Sequence, residues 1–302
     1  SNQLPDIFWM HTNQILKYAD YGMLADVTEL YDEEDPEYYE KHFSEISLGN
    51  ARGSDGRLYG VPKDKDTVGL IYNRELFDQA GVAYPTDDWT FEDFRKTCED
   101  LQAAGLPDGV YPTAINRNSG QTTYDAAVFA NGGYFLNEDN TETGWDKKET
   151  IEGIQPWLDL VLDGLSPTLQ QMTDTDPDSM FQGGQLAMYF SGNYMIPSYN
   201  KTLEGKYGIV KRPSFNGVDK DIINGLAFSV SANTKHPEEA KDFALWLGSK
   251  EAQEIQGKSG TVISARNDCQ ELFLDTHKDL NLQVFLDNVP NTELLPHCKV
   301  TA

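Results

Sequence analysis

An α/β architecture spread over more than one sheet is what this chain of 302 residues predicts. Three observations carry the prediction. The length exceeds the usual size of a single domain. Short apolar runs with strand composition alternate with stretches in which apolar residues recur at helical spacing. The third is the stretch Leu58–Gly81, LYGVPKDKDTVGLIYNRELFDQAG, in which two strand-like runs are interrupted by Lys63-Asp64-Lys65-Asp66. Read as a solvated charge cluster between buried strands, the interruption marks a path that leaves one sheet and enters another, and a cleft lies where two sheets meet.

The elements follow in order. Ile7-Phe8-Trp9-Met10 reads as a strand that ends in His11-Thr12-Asn13 ahead of a helix carrying Ile15, Leu16 and Ala19. Open α/β sheets place ligands at such strand ends, so Trp9 is either a core aromatic or a stacking surface. Asn50–Arg57 is a polar turn. Val68–Tyr72 is a buried strand, Asn73 caps a helix from Arg74 to Ala80, and Gly81 stops it. Thr90 with Asp93 forms a capping box for a helix whose Phe91, Phe94, Cys98 and Leu101 make a buried stripe. Asn116–Gly120 is turn chemistry, Tyr124–Ala130 a helix, and Asn137–Asp146 a polar hairpin or loop. The helix Glu149–Gly164 is expected to bury Ile151, Ile154, Trp157, Leu158 and Val161. Leu186–Phe190 reads as a strand followed by Ser191-Gly192-Asn193-Tyr194, with Asn193 and Tyr194 projecting from its end. Tyr207–Val210 and Leu226–Val230 are further strands. Pro237 opens a helix with Ala240, Phe243, Ala244 and Leu247 on one face.

Composition excludes several functions. A formal charge of −25, from 24 basic and 49 acidic residues, lacks the clustered cations that nucleic-acid backbone requires. No apolar run reaches the roughly 18 residues of a membrane helix. Cys98, Cys269 and Cys298 are an odd number; a Cys269–Cys298 pair is open in an oxidising compartment but spacing does not establish it.

Motifs for phosphate loops, nucleophile elbows and zinc proteases are absent from the sequence. Asp174, Asp176 and Asp178 match the first, third and fifth places of a calcium loop. Ser179 and Gln185 break its sixth and twelfth, so a solvated loop capping a helix through Asp178 is the better reading. No cofactor or metal is expected. The polar and aromatic residues at strand ends, Trp9, Thr12, Asn13, Asp66, Tyr124, Asn193 and Tyr194, are types that bind neutral polyols: flat rings for sugar faces, amides and carboxylates for hydroxyls. Carboxylates are abundant enough to leave a glycosidase-like acid pair open.

The order of the pieces resembles the solute-binding proteins of carbohydrate ABC importers, the maltose-binding-protein-like family. The matching stretches are PDIFWMHTNQILKYADYGMLADVTEL, YGVPKDKDTVGLIYNRELFDQAGV, WTFEDFRKTCEDL, FANGGY, FQGGQLAMYFSGNYM and GLAFSVSANTKHPEEAKDFALWLGSKEAQ. The resemblance implies a two-lobe periplasmic-binding-protein-like α/β fold of type II, incomplete at both ends because the family's N-terminal strands and closing helical segment find no match. Lobe 1 would hold 1–65 and 225–264, and lobe 2 would hold 66–224 and 265–302. By motif, Trp9, Thr12 and Asn13 fall on a sugar-contacting segment, Asp66 on a carboxylate that accepts from sugar hydroxyls, and Tyr194 where a stacking Trp is usual. Tyr124 and Asp125 are carried over from a less well matched stretch, and Lys63 and Lys65 are read as solvent-facing. The implied function is non-enzymatic: a monomer, outside the cell as a lipoprotein or periplasmic, captures a mono- or oligosaccharide by hinge closure and delivers it to a membrane permease. The alternatives are a carbohydrate-active hydrolase and a binder of another solute such as a polyamine or phosphorylated polyol.

Overall fold

A computed structural model describes residues 4–33 and 35–296. Its strands are β1 (Ile7–His11), β2 (Val61–Pro62), β3 (Asp64–Lys65), β4 (Val68–Asn73), β5 (Met188–Gly192), β6 (Tyr207–Lys211), β7 (Asp221–Ile222), β8 (Leu226–Val230), β9 (Ile263–Ser264) and β10 (Thr292–Glu293). The chain divides into two compact units: unit 1 holds Ser1–Asp66, Ile223–His277 and Leu294–Ala302, and unit 2 holds Thr67–Ile222 and Lys278–Glu293. The first crossing therefore lies between Asp66 and Thr67, inside the stretch where the sequence predicts a change of sheet. The division expected from the sequence differs after residue 264: residues 265–277 pack with unit 1, where the 3-10 segment Asn267–Thr276 lies against the helix Lys250–Lys258, and the described residues 294–296 belong to unit 1 as well.

In unit 1, β8 runs between β1 and β2, antiparallel to both, with Trp9 opposite Phe228 and Val61 opposite the other side of the same residue. Helix Thr12–Asp20 begins directly at the end of β1, and its Ile15 and Ala19 join Leu24, Val27, Tyr31, Phe43 and Leu58 in one core. Unit 2 is built on an antiparallel sheet ordered β5-β4-β6. Every residue of β4 is buried, as its uninterrupted apolar run requires of a central strand. Asn73 Oδ1 accepts from Leu76 N, and Gly81 ends the helix with φ of 66°. The capping box forms as predicted, with Thr90 and Asp93 bonded reciprocally, and Phe91, Phe94, Cys98 and Leu101 are all buried beneath it.

Four expectations are corrected. Lys63 and Lys65 are not solvent-facing: all four residues of the charged run Lys63–Asp66 are buried. Their backbone pairs in both directions, since Lys63 N donates to Leu226 O while its carbonyl accepts from Ala265 N, and β3 pairs with β9. The path is an internal one, and polar partners meet it there: Lys63 pairs with Asp64, Asp64 Oδ1 accepts from Leu226 N at 2.6 Å, and Lys65 Nζ donates to Asn267 at 3.2 Å. The helix Lys148–Leu162 buries Thr150, Gly153, Trp157 and Leu160, leaving Ile151 and Leu158 exposed. Gly153 sets that rotation, because a Cβ there would stand 2.7 Å from Val128 Cα and the two helices touch at backbone distance. On the helix Pro237–Leu247 the small Ala240 and Ala244 face the core, while Phe243 is exposed and stacks on Trp246 at 5.7 Å. Lastly, Asp176 rather than Asp178 caps the helix Pro177–Gln182. Asp178 instead accepts from the Tyr199, Tyr189 and Ser191 hydroxyls. Among the described residues no group of three or more His, Cys, Asp or Glu side chains could hold a metal. Among the described residues Cys98 and Cys269 are buried thiols with no disulfide partner, and a Cys269–Cys298 pairing lies outside those residues.

Candidate functional site

Unit 1 gathers Trp9, Thr12 and Asn13 where β1 turns into its helix. The extended conformation of His11 lets its Nδ1 accept from Asn13 N at 3.3 Å, which caps the helix and fixes the turn. Trp9 is 65% exposed, an unusual state for an indole on a strand. Lys63 Nζ lies 4.6 Å from the centre of its ring, so the cation of the buried Lys63–Asp64 pair also meets the indole face. The ring borders a groove of about 570 Å³ whose other walls include Phe228, Phe243, Trp246 and Gln256. Three and four residues on, Thr12 Oγ1 and Asn13 Oδ1 are buried and have no hydrogen-bond partner among the described residues. Buried polar atoms are nearly always satisfied, so two unsatisfied ones in the first turn of the helix that follows β1 are candidates to meet an outside hydroxyl. Burial lowers the His11 pKa, with Asp64 opposing the shift, and burial raises that of Asp64, with Lys63 opposing. Asp66 closes this segment at 8% exposure, its backbone exchanging hydrogen bonds with Asn224.

Unit 2 holds the other four expected residues. Tyr194 is 38% exposed in the 3-10 turn Asn193–Met195 that ends β5, and its ring lies on Gly192. Asn193 is fully buried, with Oδ1 accepting from Thr67 N at 3.1 Å and its own N donating to Thr67 O. It ties β5 to the start of β4. Tyr124 is half-buried at the N-terminus of the helix Asp125–Ala130. Asp125 is buried with its carboxylate against Gly120, where any Cβ would be 2.1 Å from Oδ1. Burial pushes its pKa up to about 7, Arg212 opposing. Arg212 is itself buried, donates to the backbone carbonyls of Gln121 and Thr123, and faces Asp221. The Gln121–Asp125 turn is thereby held from below. Of the residues nominated from sequence, Trp9 lies on β1, Thr12 and Asn13 open the helix that follows it, and Asp66 ends the first segment of unit 1. Tyr124 and Asp125 form a group in unit 2, Tyr194 presents a ring at a strand end, and Asn193 serves the backbone.

The sequence model of the bacterial extracellular solute-binding proteins matches residues 1–254. This chain belongs to that family. Its fold is accordingly that of the two-domain periplasmic solute-binding proteins. Among curated relatives, a galactooligosaccharide-binding protein of Bacillus subtilis (strain 168) is 25% identical over 253 residues, 82% of this chain and 56% of that protein. An arabinooligosaccharide-binding protein of the same organism is 26% identical over 259 residues, again 82% of this chain and 56% of the relative. An ABC substrate-binding protein of Listeria monocytogenes, solved in complex with cycloalternan, superposes with a TM-score of 0.85 at 25% identity, covering 98% of this chain and 75% of that one. The chain thus spans little more than half the length of the two curated relatives. Among the described residues no helix of this solute-binding protein is long and apolar enough to cross a membrane.

Two participants escaped the sequence reading. Lys63 was placed in solvent because its neighbours are charged, yet it lies over the Trp9 ring. Trp145, inside the hairpin read only as polar, is 51% exposed beside Tyr124. Its one signal was a large aromatic in an otherwise polar loop.

Proposed function

We propose that this solute-binding protein captures a carbohydrate and delivers it to the permease of an ABC importer, acting outside the cell as a monomer, either lipid-anchored or periplasmic. The observations that carry the reading are the exposed Trp9 ring on β1 and, at the start of the helix that follows, Thr12 Oγ1 and Asn13 Oδ1, unsatisfied among the described residues. A sugar presents an apolar C–H face to an indole while its rim hydroxyls donate and accept, and this combination suits both halves of the site. The names of the curated relatives, which bind galacto- and arabino-oligosaccharides, support the same class.

The test is a thermal-shift and calorimetric screen of neutral sugars, with the recovered sugar analysed for cleavage. A ligand that raises the melting temperature and is recovered intact supports the reading. Turnover of the sugar would replace it with the hydrolase alternative; stabilisation by a polyamine or sugar phosphate alone would move it to another solute. Trp9→Ala is expected to weaken sugar binding about tenfold, at constant melting temperature, since an exposed ring contributes little to the fold.

A further inference from the structure

His11 ends β1 and caps the helix Thr12–Asp20, its extended backbone at φ −64° and ψ 132° and its Nδ1 accepting from Asn13 N at 3.3 Å. Ser, Thr, Asp and Asn are the usual caps, and a histidine can serve only while its ring is neutral. For Nδ1 to accept, that neutral ring carries its proton on Nε2. Thr12 N donates to Gly225 O at 3.1 Å, so the backbone of the turn is held from two sides. Thr12 Oγ1 and Asn13 Oδ1 stay buried there without a partner among the described residues. The surroundings of the ring pull its proton both ways. Burial holds its pKa below the usual 6.5, while the Asn13 side chain and the charge of Asp64 oppose the shift. The helix N-terminus also disfavours a cation. An amide favours an imidazolium through its oxygen, so Asn13 Oδ1 stands within reach of the ring. Few other charges face it. Asp64 Oδ1 accepts from N of Leu226, the residue opposite His11, and Lys63 offsets that carboxylate by pairing with its other oxygen. Strand β8 carries no charge, and the helix has no acidic residue in its first turn and its Lys17 in the last.

One ring nitrogen thus has two exclusive bonds to the same residue. From this geometry we infer that His11 is a positioning residue for ligand capture: its neutral ring caps the helix and leaves Asn13 Oδ1 open to a sugar hydroxyl, whereas its protonated ring releases the cap and takes Asn13 Oδ1 for itself. A proton arriving on Nδ1 removes the lone pair that accepts from Asn13 N and creates a donor in its place. That donor competes with the ligand through a charge-assisted bond, stronger than the neutral one a sugar hydroxyl offers. Sugar binding is therefore coupled to loss of a proton from the ring, and acid weakens capture. By the same linkage, bound sugar lowers the pKa of His11 further. The inference rests on the carbohydrate reading and deepens it, adding the protonation state in which the Thr12–Asn13 turn receives its ligand.

The experiment measures sugar affinity by calorimetry from about pH 7.5 to about pH 4.5 for wild type and His11→Asn. The probe is the neutral sugar bound most tightly among glucose, galactose, maltotriose and stachyose. Asn keeps a cap acceptor that does not titrate. Asp125 titrates at about 7 and Asp64 above its ordinary value in both proteins, so the difference between the two profiles isolates the ring. Wild type is expected to lose about tenfold more affinity than His11→Asn between the ends of the range. In parallel, NMR titration of the His11 ring in wild type is expected to give a lower pKa with sugar bound than without. Superposable affinity profiles overturn the inference, as does a ring pKa that sugar leaves unchanged or raises; in either case the carbohydrate reading stands. If wild type binds none of these sugars at any pH, the carbohydrate reading itself fails and the inference falls with it. Should His11→Asn not fold, the ring titration alone decides: a pKa lowered by sugar supports the inference, and any other result overturns it.

Discussion

At the scale of single residues, the two units use buried polar groups differently. Thr12 and Asn13 keep oxygens that find no partner among the described residues, whereas Asn193 and Arg212 direct polar atoms to backbone. Asp125 combines burial with a titration near neutrality. Its folded pKa of about 7 exceeds the ordinary 3.8 because burial disfavours the charged form more than Arg212 favours it. Between those values the folded chain retains a proton that the unfolded chain has lost, so this group's contribution falls as pH rises through the window and levels off above 7. Urea unfolding from pH 4 to 8 should show the stability of Asp125→Asn rising relative to wild type across the window, by at most about 3–4 kcal/mol. A difference that stays constant with pH would show that the carboxyl titrates normally. Gly192 gives a second residue-level prediction. A Cβ there would stand 2.1 Å from Tyr194 Cε1, so Gly192→Ala must turn the ring away, and a ring can turn at little cost. Sugar affinity should fall several-fold while the melting temperature stays nearly constant; the opposite pattern would remove Tyr194 from the binding surface.

Among the elements, local signals performed well where the cause was local. The Thr90–Asp93 capping box, the Asn73 cap and the Gly81 stop depend on a few adjacent residues and formed as read. Helix faces were less legible, because a period specifies a stripe and its neighbour decides which edge of it is covered. The helix Lys148–Leu162 turns Gly153 and Thr150 inward against the helix Asp125–Ala130 and leaves Ile151 and Leu158 in solvent. Gly153→Ala is therefore a contest of two terms. Alanine gains up to about 1 kcal/mol in helix propensity, but its Cβ meets backbone of Val128, and overpacking costs about 1–3 kcal/mol. Net destabilisation of about 1–2 kcal/mol is expected in chemical denaturation, and a stabilised variant would mean that the helices separate freely.

For the molecule as a whole, 49 acidic against 24 basic residues leave self-repulsion that counter-ions relieve. Raising NaCl from about 10 to about 200 mM should raise the melting temperature, as the Debye length shrinks below the spacing of surface charges; no response would show that local ion pairs already neutralise the field. The α/β class, the central strand β4, the change of sheet near Asp66 and most of the aromatic and polar residues of the candidate site could be read from the chain alone, since apolar period, caps and strand-end composition are written in consecutive residues. Only the tertiary structure decided that Lys63–Asp66 runs buried rather than solvated, that Lys63 covers Trp9, and that Trp145 meets Tyr124. Each of these depends on partners distant in sequence: Leu226 and Ala265 for the charged run, and a hairpin some twenty residues on for Tyr124. Burial of a charge is permitted by whoever compensates it, and the compensating groups arrive only when the chain has folded.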